Sequence, residues 1–508
     1  MPVFFSKLVE IDLMGKCVLL CNVINENAMK KAIISLFAFL LYIGIGDAVA
    51  QGTFLLRGKA TNLPADKRQF ELAVTHPYKN ESHIVRVCPD GTFEQTISLT
   101  GKLQDVYLYL GDAVTVFTFP GDTINLEFDY KNLPESVRVW GNTPERSREL
   151  ELCMEGYKQF RKRSMSIRQE GYFLEAGKCD SDTLLRRVVD YVKERQQLIA
   201  RFKQEGPLPH EEYFYQSAYF GGLFPLVSDY IVLEKASDMV QLYPEGKNIV
   251  RPYRDANFDF FGNPSALDFM QAYIRKAVDK TCNAFNQNWK NMDELAYQTV
   301  DLIVPNRKLR DWYQVSSKFS YVLFQSMEDA KKVGERLMAT LTDEQAKVFL
   351  QQQMEDYVYP FQPGAEARDM TLPDFDGHEV SLSSLRGKYV YMDIWAEGCG
   401  PCMMEFQKVE ALHKKYEAYG GRIAYVFVCA RGDKDACRKL IKKYNVQDKG
   451  IHLFADEAHQ DEVRKYDKEC WPTYVLVSPD GKIVEYDTAR PSMLLHDGEN
   501  ILDRCLKK

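Results

Sequence analysis

The stretch that most constrains this chain is Tyr389-Val-Tyr-Met-Asp-Ile-Trp-Ala-Glu-Gly-Cys-Gly-Pro-Cys402. Residues 389–395 are almost continuously apolar and read as a buried strand. A tight turn follows, and two cysteines then open a helix. A cysteine there sits beside unpaired backbone N–H groups and the positive end of the helix dipole. Both favour thiolate over thiol, and the thiolate is the nucleophile. Cys402 faces Cys399 one turn later and can close a disulfide with it. Pro401 is tolerated because a first-turn residue needs no N–H donor.

The remaining composition narrows the setting. The chain has 508 residues, which argues for two to four domains. Its net charge is −7 and it has no long basic run, so nucleic-acid binding has no electrostatic support. Twelve cysteines in a chain this long do not make a disulfide-stapled scaffold.

Residues 29–50 start Met29-Lys-Lys31, run apolar from Ala32 to Ile45 and end in Ala48-Val-Ala50. A basic start, a short apolar core and a small-x-small site predict a secretory signal peptide cleaved after Ala50. The apolar run falls short of the ~20 residues of a membrane span. Met29 is then the expected start, and residues 1–28 a mis-called extension carrying Cys17 and Cys21 with it. The expected location is the periplasm or cell envelope, where disulfides persist.

Residues 51–135 alternate like β structure, at Phe54–Lys59, Phe70–Val74, Ile84–Val87, Val106–Leu110, Val114–Phe119 and Ile124–Phe128. Turn signals such as Pro89-Asp-Gly91 and Pro120-Gly121-Asp122 separate them. The spacing predicts a small antiparallel β-sandwich. Residues 140–360 change to a helical period. Leu184, Leu185, Val188, Val189, Val192, Ile199 and Phe202 mark one face, with Asp182 as the expected cap and Gly206-Pro207 as the end. Thr342-Asp-Glu-Gln345 has the capping-box pattern. The aromatics between Tyr213 and Tyr230 read as helix–helix packing. This stretch is expected to be a mainly helical spacer or docking domain.

From residue 361 to 508 strands and helices alternate and an antiparallel hairpin follows, which predicts an α/β sandwich. Trp395-Ala-Glu-Gly-Cys-Gly-Pro-Cys402 resembles the active-site loop of thioredoxin. The frame around it resembles the exported TlpA/ResA-type thiol–disulfide oxidoreductases, at Leu372-Pro-Asp-Phe-Asp-Gly377, Leu382–Gly387, Trp471-Pro-Thr473 and Pro479-Asp-Gly481. The resemblance covers the C-terminal domain only and implies a thioredoxin fold there. It implies that Cys399 attacks, that Cys402 resolves and that Pro472 is a cis-proline facing the dithiol. Trp395, Gly400, Pro401, Trp471, Pro472 and Thr473 would form the substrate surface. Asp393 matches thioredoxin's buried carboxylate, whose raised pKa suits it to take the resolving thiol's proton. Glu405 matches an acid that exported relatives carry beside the dithiol. The implied partners are disulfide-containing proteins and a membrane thiol electron donor, with no cofactor, metal or nucleic acid.

Three positions depart from the family pattern. Gly398 replaces the usual tryptophan before the first cysteine. Gln407 replaces a helix-kinking proline, so a straighter helix is expected. Trp471 precedes the cis-proline where smaller residues are usual, which would narrow or select substrates. Cys470 is a candidate third thiol near the site and Cys429 and Cys437 lie in the same domain, but all three read as bystanders.

Other readings of the dithiol are weaker. Structural zinc needs two more ligands at suitable spacing, and Cys429 and Cys437 have seven residues between them. A peroxiredoxin-like thiol peroxidase would place a threonine where Ala396 stands. An envelope binding protein with a vestigial thioredoxin domain would have no reason to keep Asp393, both cysteines and Pro472 together. The expectation is therefore an exported thiol–disulfide oxidoreductase that reduces protein disulfides.

Overall fold

The computed structural model describes residues 52–507 apart from 65–67, 79, 111, 176, 179, 244–248, 250, 285–291, 326 and 467–470. The leader, the expected start at Met29 and Cys470 lie outside the described residues. The described residues form two compact units, one ending at Ala277 and the other starting at Val278.

Among the described residues the first unit opens with eight strands: β1 (Gly52–Thr61), β2 (Gln69–Val74), β3 (Glu81–Arg86), β4 (Thr92–Leu99), β5 (Gln104–Leu110), β6 (Asp112–Thr118), β7 (Thr123–Asp129) and β8 (Arg138–Trp140). They form two four-stranded sheets, ordered β4-β1-β7-β8 and β3-β2-β5-β6. Leu56, Ile97 and Leu126 of one sheet share a core with Leu72, Val106 and Val116 of the other. The pairing is not wholly antiparallel as expected, because β1 and β7 run parallel. Gly58 lies opposite Leu126 in that pair, and a Cβ at Gly58 would come 1.7 Å from the Leu126 carbonyl oxygen. Only glycine lets the two backbones approach so closely.

Among the described residues the helices α1 (Pro144–Glu175), α2 (Ser181–Glu205), α3 (Glu211–Leu223), α4 (Tyr230–Met239) and α5 (Pro264–Ala284) follow, and the last residues of α5 belong to the second unit. Helix α1 adds Leu150 and Met154 to the sandwich core. Its Arg146 is buried and donates to Asp122 (2.8 Å) and Glu149 (3.3 Å), so the buried charge is paired. Helix α2 buries the expected face, but its cap is Asp180 rather than Asp182, since Asp180 accepts from the Thr183 backbone N–H. The aromatics of α3 are core, as expected. Tyr213 also donates its hydroxyl to buried Asp105 at 2.5 Å.

The second unit continues with α6 (Met292–Ile303), α7 (Arg307–Tyr313), α8 (Ser320–Gln325), α9 (Met327–Thr340) and α10 (Glu344–Tyr357). The capping box expected at Thr342 is not formed, and the cap is the next residue. Asp343 caps α10 by accepting from the Ala346 N–H, and Thr342 donates its N–H and hydroxyl to Asp311. Beyond α10, Phe361 is buried and packs its ring on Tyr486 at 4.4 Å.

The rest is a five-stranded sheet beside the small hairpin of β9 (Thr371–Pro373) and β10 (Glu379–Ser381). The large sheet has the order β13-β12-β11-β14-β15. Its strands are β11 (Tyr389–Ala396), β12 (Ile423–Arg431), β13 (Ile451–Phe454), β14 (Thr473–Val477) and β15 (Ile483–Tyr486). β11, β12 and β13 are parallel, and β14 and β15 are antiparallel additions. With the helices α11 (Gly400–Phe406), α12 (Val409–Lys415), α13 (Lys434–Lys443), α14 (Gln460–Val463), α15 (Pro491–Leu494) and α16 (Ile501–Leu506), this is the thioredoxin arrangement expected from the sequence. Among the described residues no helix is long and apolar enough to cross a membrane.

Candidate functional site

Strand β11 is the middle of its sheet, and seven of its eight residues are buried. Its apolar run has no solvated face because it has a neighbour on each side and helices over the sheet. It ends where Ala396 pairs with Arg431 of β12, after a register irregularity. The chain then turns out of the sheet through Glu397, Gly398 and Cys399. Gly398 has φ +79, a conformation that favours glycine, and no atom lies within 4 Å of a Cβ built there. The loop face is open, as the absence of a tryptophan implied.

Cys399 caps helix α11, and its sulfur accepts the Cys402 backbone N–H at 3.2 Å. A disulfide joins Cys399 to Cys402. The two sulfurs differ in exposure. Cys399 is half-buried, Cys402 is fully buried, and Gly400 and Pro401 between them are exposed.

Asp393 points into the core below the loop. Tyr474 donates to its Oδ2 at 3.1 Å, and its Oδ1 has no hydrogen-bond partner among the described residues. Burial pushes its pKa up to about 8, and the charge of Glu405 adds to the rise against the opposing Tyr474 hydrogen bond. Glu405 is not a solvated helix residue. It is buried and accepts two hydrogen bonds from Ser492, from the backbone N–H and the hydroxyl, both at 2.8 Å.

The helix after the dithiol is not straight, contrary to the expectation from Gln407. α11 ends at Phe406 and α12 starts at Val409. Lys408 N–H bonds the Glu405 carbonyl at 2.8 Å, a tightened last turn that needs no proline.

Trp471–Pro472 is a cis peptide. Thr473, the first residue of β14, pairs with Ile394, so Pro472 lies at the sheet end from which the dithiol loop leaves. Trp471 is half-buried, and the Arg431 guanidinium rests over its ring at 4.6 Å. Thr473 is buried. Trp395 corrects an expectation, because it is fully buried with its ring edge-on to Phe406 and presents no surface to a substrate. Sequence reasoning missed Tyr474, Ser492 and Arg431. Tyr474 was the findable one, being opposite Asp393 on the neighbouring strand.

The AhpC/TSA family model matches residues 363–486. The chain is 31% identical over 140 residues to thiol-disulfide oxidoreductase ResA of Bacillus subtilis, covering 27% of this chain and 75% of that protein. It is 29% identical over 129 residues to ResA of Bacillus cereus, covering 24% of this chain and 68% of that protein. Among solved structures it is similar to the thioredoxin domain of a thiol-disulfide oxidoreductase from Bacteroides vulgatus, at 28% identity. That match covers 26% of this chain and 91% of the other, with a TM-score of 0.24. These matches fall in the C-terminal part of the chain.

Proposed function

The chain belongs, through its C-terminal domain, to the ResA-like thiol–disulfide oxidoreductases, and from that premise we propose that it is an exported reductase of protein disulfides. It is a thioredoxin-like redox enzyme whose substrates carry disulfides. The observation that carries the finer reading is the asymmetry of the dithiol, with one cysteine half-buried at a helix N-terminus and the other fully buried one turn on.

In the reduced enzyme the Cys399 thiolate, favoured by the helix terminus, attacks a substrate disulfide. One substrate sulfur leaves as a thiol and the other stays bound to Cys399. Cys402, losing its proton to Asp393, then attacks Cys399. This releases the second substrate thiol and closes Cys399–Cys402. A carboxyl with a pKa of about 8 is matched to a thiol's proton near neutral pH. Gly400, Pro401, Trp471, Pro472 and Thr473 line or support the contact surface, and Glu405 sets the electrostatic surroundings of Asp393. Gly-Pro between the cysteines is thioredoxin's own pair, so the potential lies nearer thioredoxin's ~−270 mV than a strong oxidant's ~−120 mV. The reaction is set in the periplasm or envelope, where a membrane thiol relay re-reduces the enzyme; the signal-peptide pattern of residues 29–50 supports this reading.

The test is Cys402→Ser in the full-length chain. This variant should hold clients on Cys399 as mixed disulfides that a thiol reductant releases, and Cys399→Ser should hold none. No capture by Cys399 in envelope extracts would sink the reductase reading. The AhpC/TSA match supports a second reading, a thiol peroxidase, although Ala396 stands where that chemistry calls for threonine. Peroxide consumption by the reduced protein separates the two.

A further inference from the structure

Cys429 lies near the end of β12, and Cys437 lies on the first turns of α13. Both side chains are fully buried, and their sulfurs are 2.8 Å apart. That is closer than unbonded sulfurs ordinarily pack and approaches the ~2.05 Å of a bonded pair. Neither takes part in the Cys399–Cys402 disulfide. Two thiols alone do not make a zinc site, and among the described residues no three metal-ligating side chains gather. The geometry points to a second disulfide, Cys429–Cys437, which the chain closes as it folds.

The oxidant is a disulfide compound. Its S–S bond breaks, the Cys429–Cys437 bond forms, and the two cysteine protons pass to the two sulfurs released. Closure has to precede burial. In the folded core the Cys437 sulfur and loss of solvent push the Cys429 thiol up, which suppresses the thiolate. The bond clamps the segment that carries Arg431, Gly432 and Asp433. Arg431 rests on Trp471, and Asp433 N–H donates to Glu397 of the dithiol loop at 2.8 Å. A Cβ at Gly432 would come 2.6 Å from the Glu397 Cβ and 2.8 Å from the Cys437 sulfur. The crosslink thus fixes the rim beside the dithiol.

The test is peptide mapping of the full-length chain. Reduced, unfolded protein is refolded in mixtures of oxidised and reduced glutathione, alkylated, and cut with trypsin without reduction. Trypsin cleaves after Arg431 and Lys434, which separates Ile423–Arg431 from Asp435–Arg438. These two peptides should be recovered joined, in the unmodified chain and in a Cys399→Ser/Cys402→Ser double variant alike. Alkylated Cys429 and Cys437 at every glutathione ratio would overturn the inference. Disulfide reductase activity in that same sample would leave the proposed function standing. The unmodified chain carries the decisive reading, so a variant that fails to fold cannot obscure it.

Discussion

Asp393 is the residue on which stability and chemistry pull in opposite directions. Its carboxyl titrates near 3.8 when unfolded and near 8 in the folded chain. The folded state therefore binds its proton more tightly. The stability this contributes is complete below about pH 4 and is lost as pH rises toward 8. Asp393→Asn should flatten that loss and leave the variant more stable than the parent at pH 8, by on the order of a few kcal/mol. Urea unfolding at pH 4 and pH 8 measures it. If Asp393 accepts the resolving thiol's proton as proposed, the same substitution should slow resolution of the mixed disulfide by ~100-fold. A variant that is both less stable at pH 8 and equally fast would remove Asp393 from the mechanism. Tyr474 stays buried in either case, its hydroxyl pushed well above its ordinary range by desolvation.

At the scale of elements, one side chain of α11 ties that helix to a distant one. Glu405 is drawn to the start of α15, where Ser492 offers an N–H and a hydroxyl. A buried acid that loses one such donor is left partly unsatisfied. Ser492→Ala should cost about 1–3 kcal/mol in the urea unfolding of the oxidised protein. The sequence made α11 legible, because a dithiol and a 3.6-residue stripe mark it. It did not reveal that Glu405 is held by a residue 87 positions away. The same limit hid other features. β4 was missed because Glu94, Gln95 and Thr96 dilute its apolar residues. The parallel β1–β7 pair depends on how the intervening chain crosses over, which local alternation does not encode. Asp180 displaced Asp182 as the cap of α2 because both are good capping residues and only backbone geometry chooses between them. Cys429 and Cys437 looked like bystanders because strand and helix periods differ, and only their packing brings the sulfurs together. Asp393, Pro472 and the dithiol were legible since each occupies a fixed place in one motif or frame.

At the scale of the whole molecule, the second unit does not start where the family model starts. The matched region opens at residue 363, and Phe361 just before it is buried against Tyr466 and Tyr486 of the sheet domain. Phe361→Ala should destabilise the full-length chain by about 3–5 kcal/mol, read as a lower urea midpoint of the second unit, with dithiol reactivity at Cys399 retained. An unchanged midpoint would mean that the ring adds nothing to that core. The placement of β11 carries one more consequence, in time rather than in energy. With β12 on one side and β14 on the other, its amides open only when the sheet opens, so they are among the last to trade hydrogen for deuterium. Gly398, in the exposed turn two residues beyond the strand, trades early. The reactive sulfur thus hangs at the junction of a slow clock and a fast one: anchored by a strand that keeps its place between turnovers, and carried on an exposed turn that meets one client and releases it before the next.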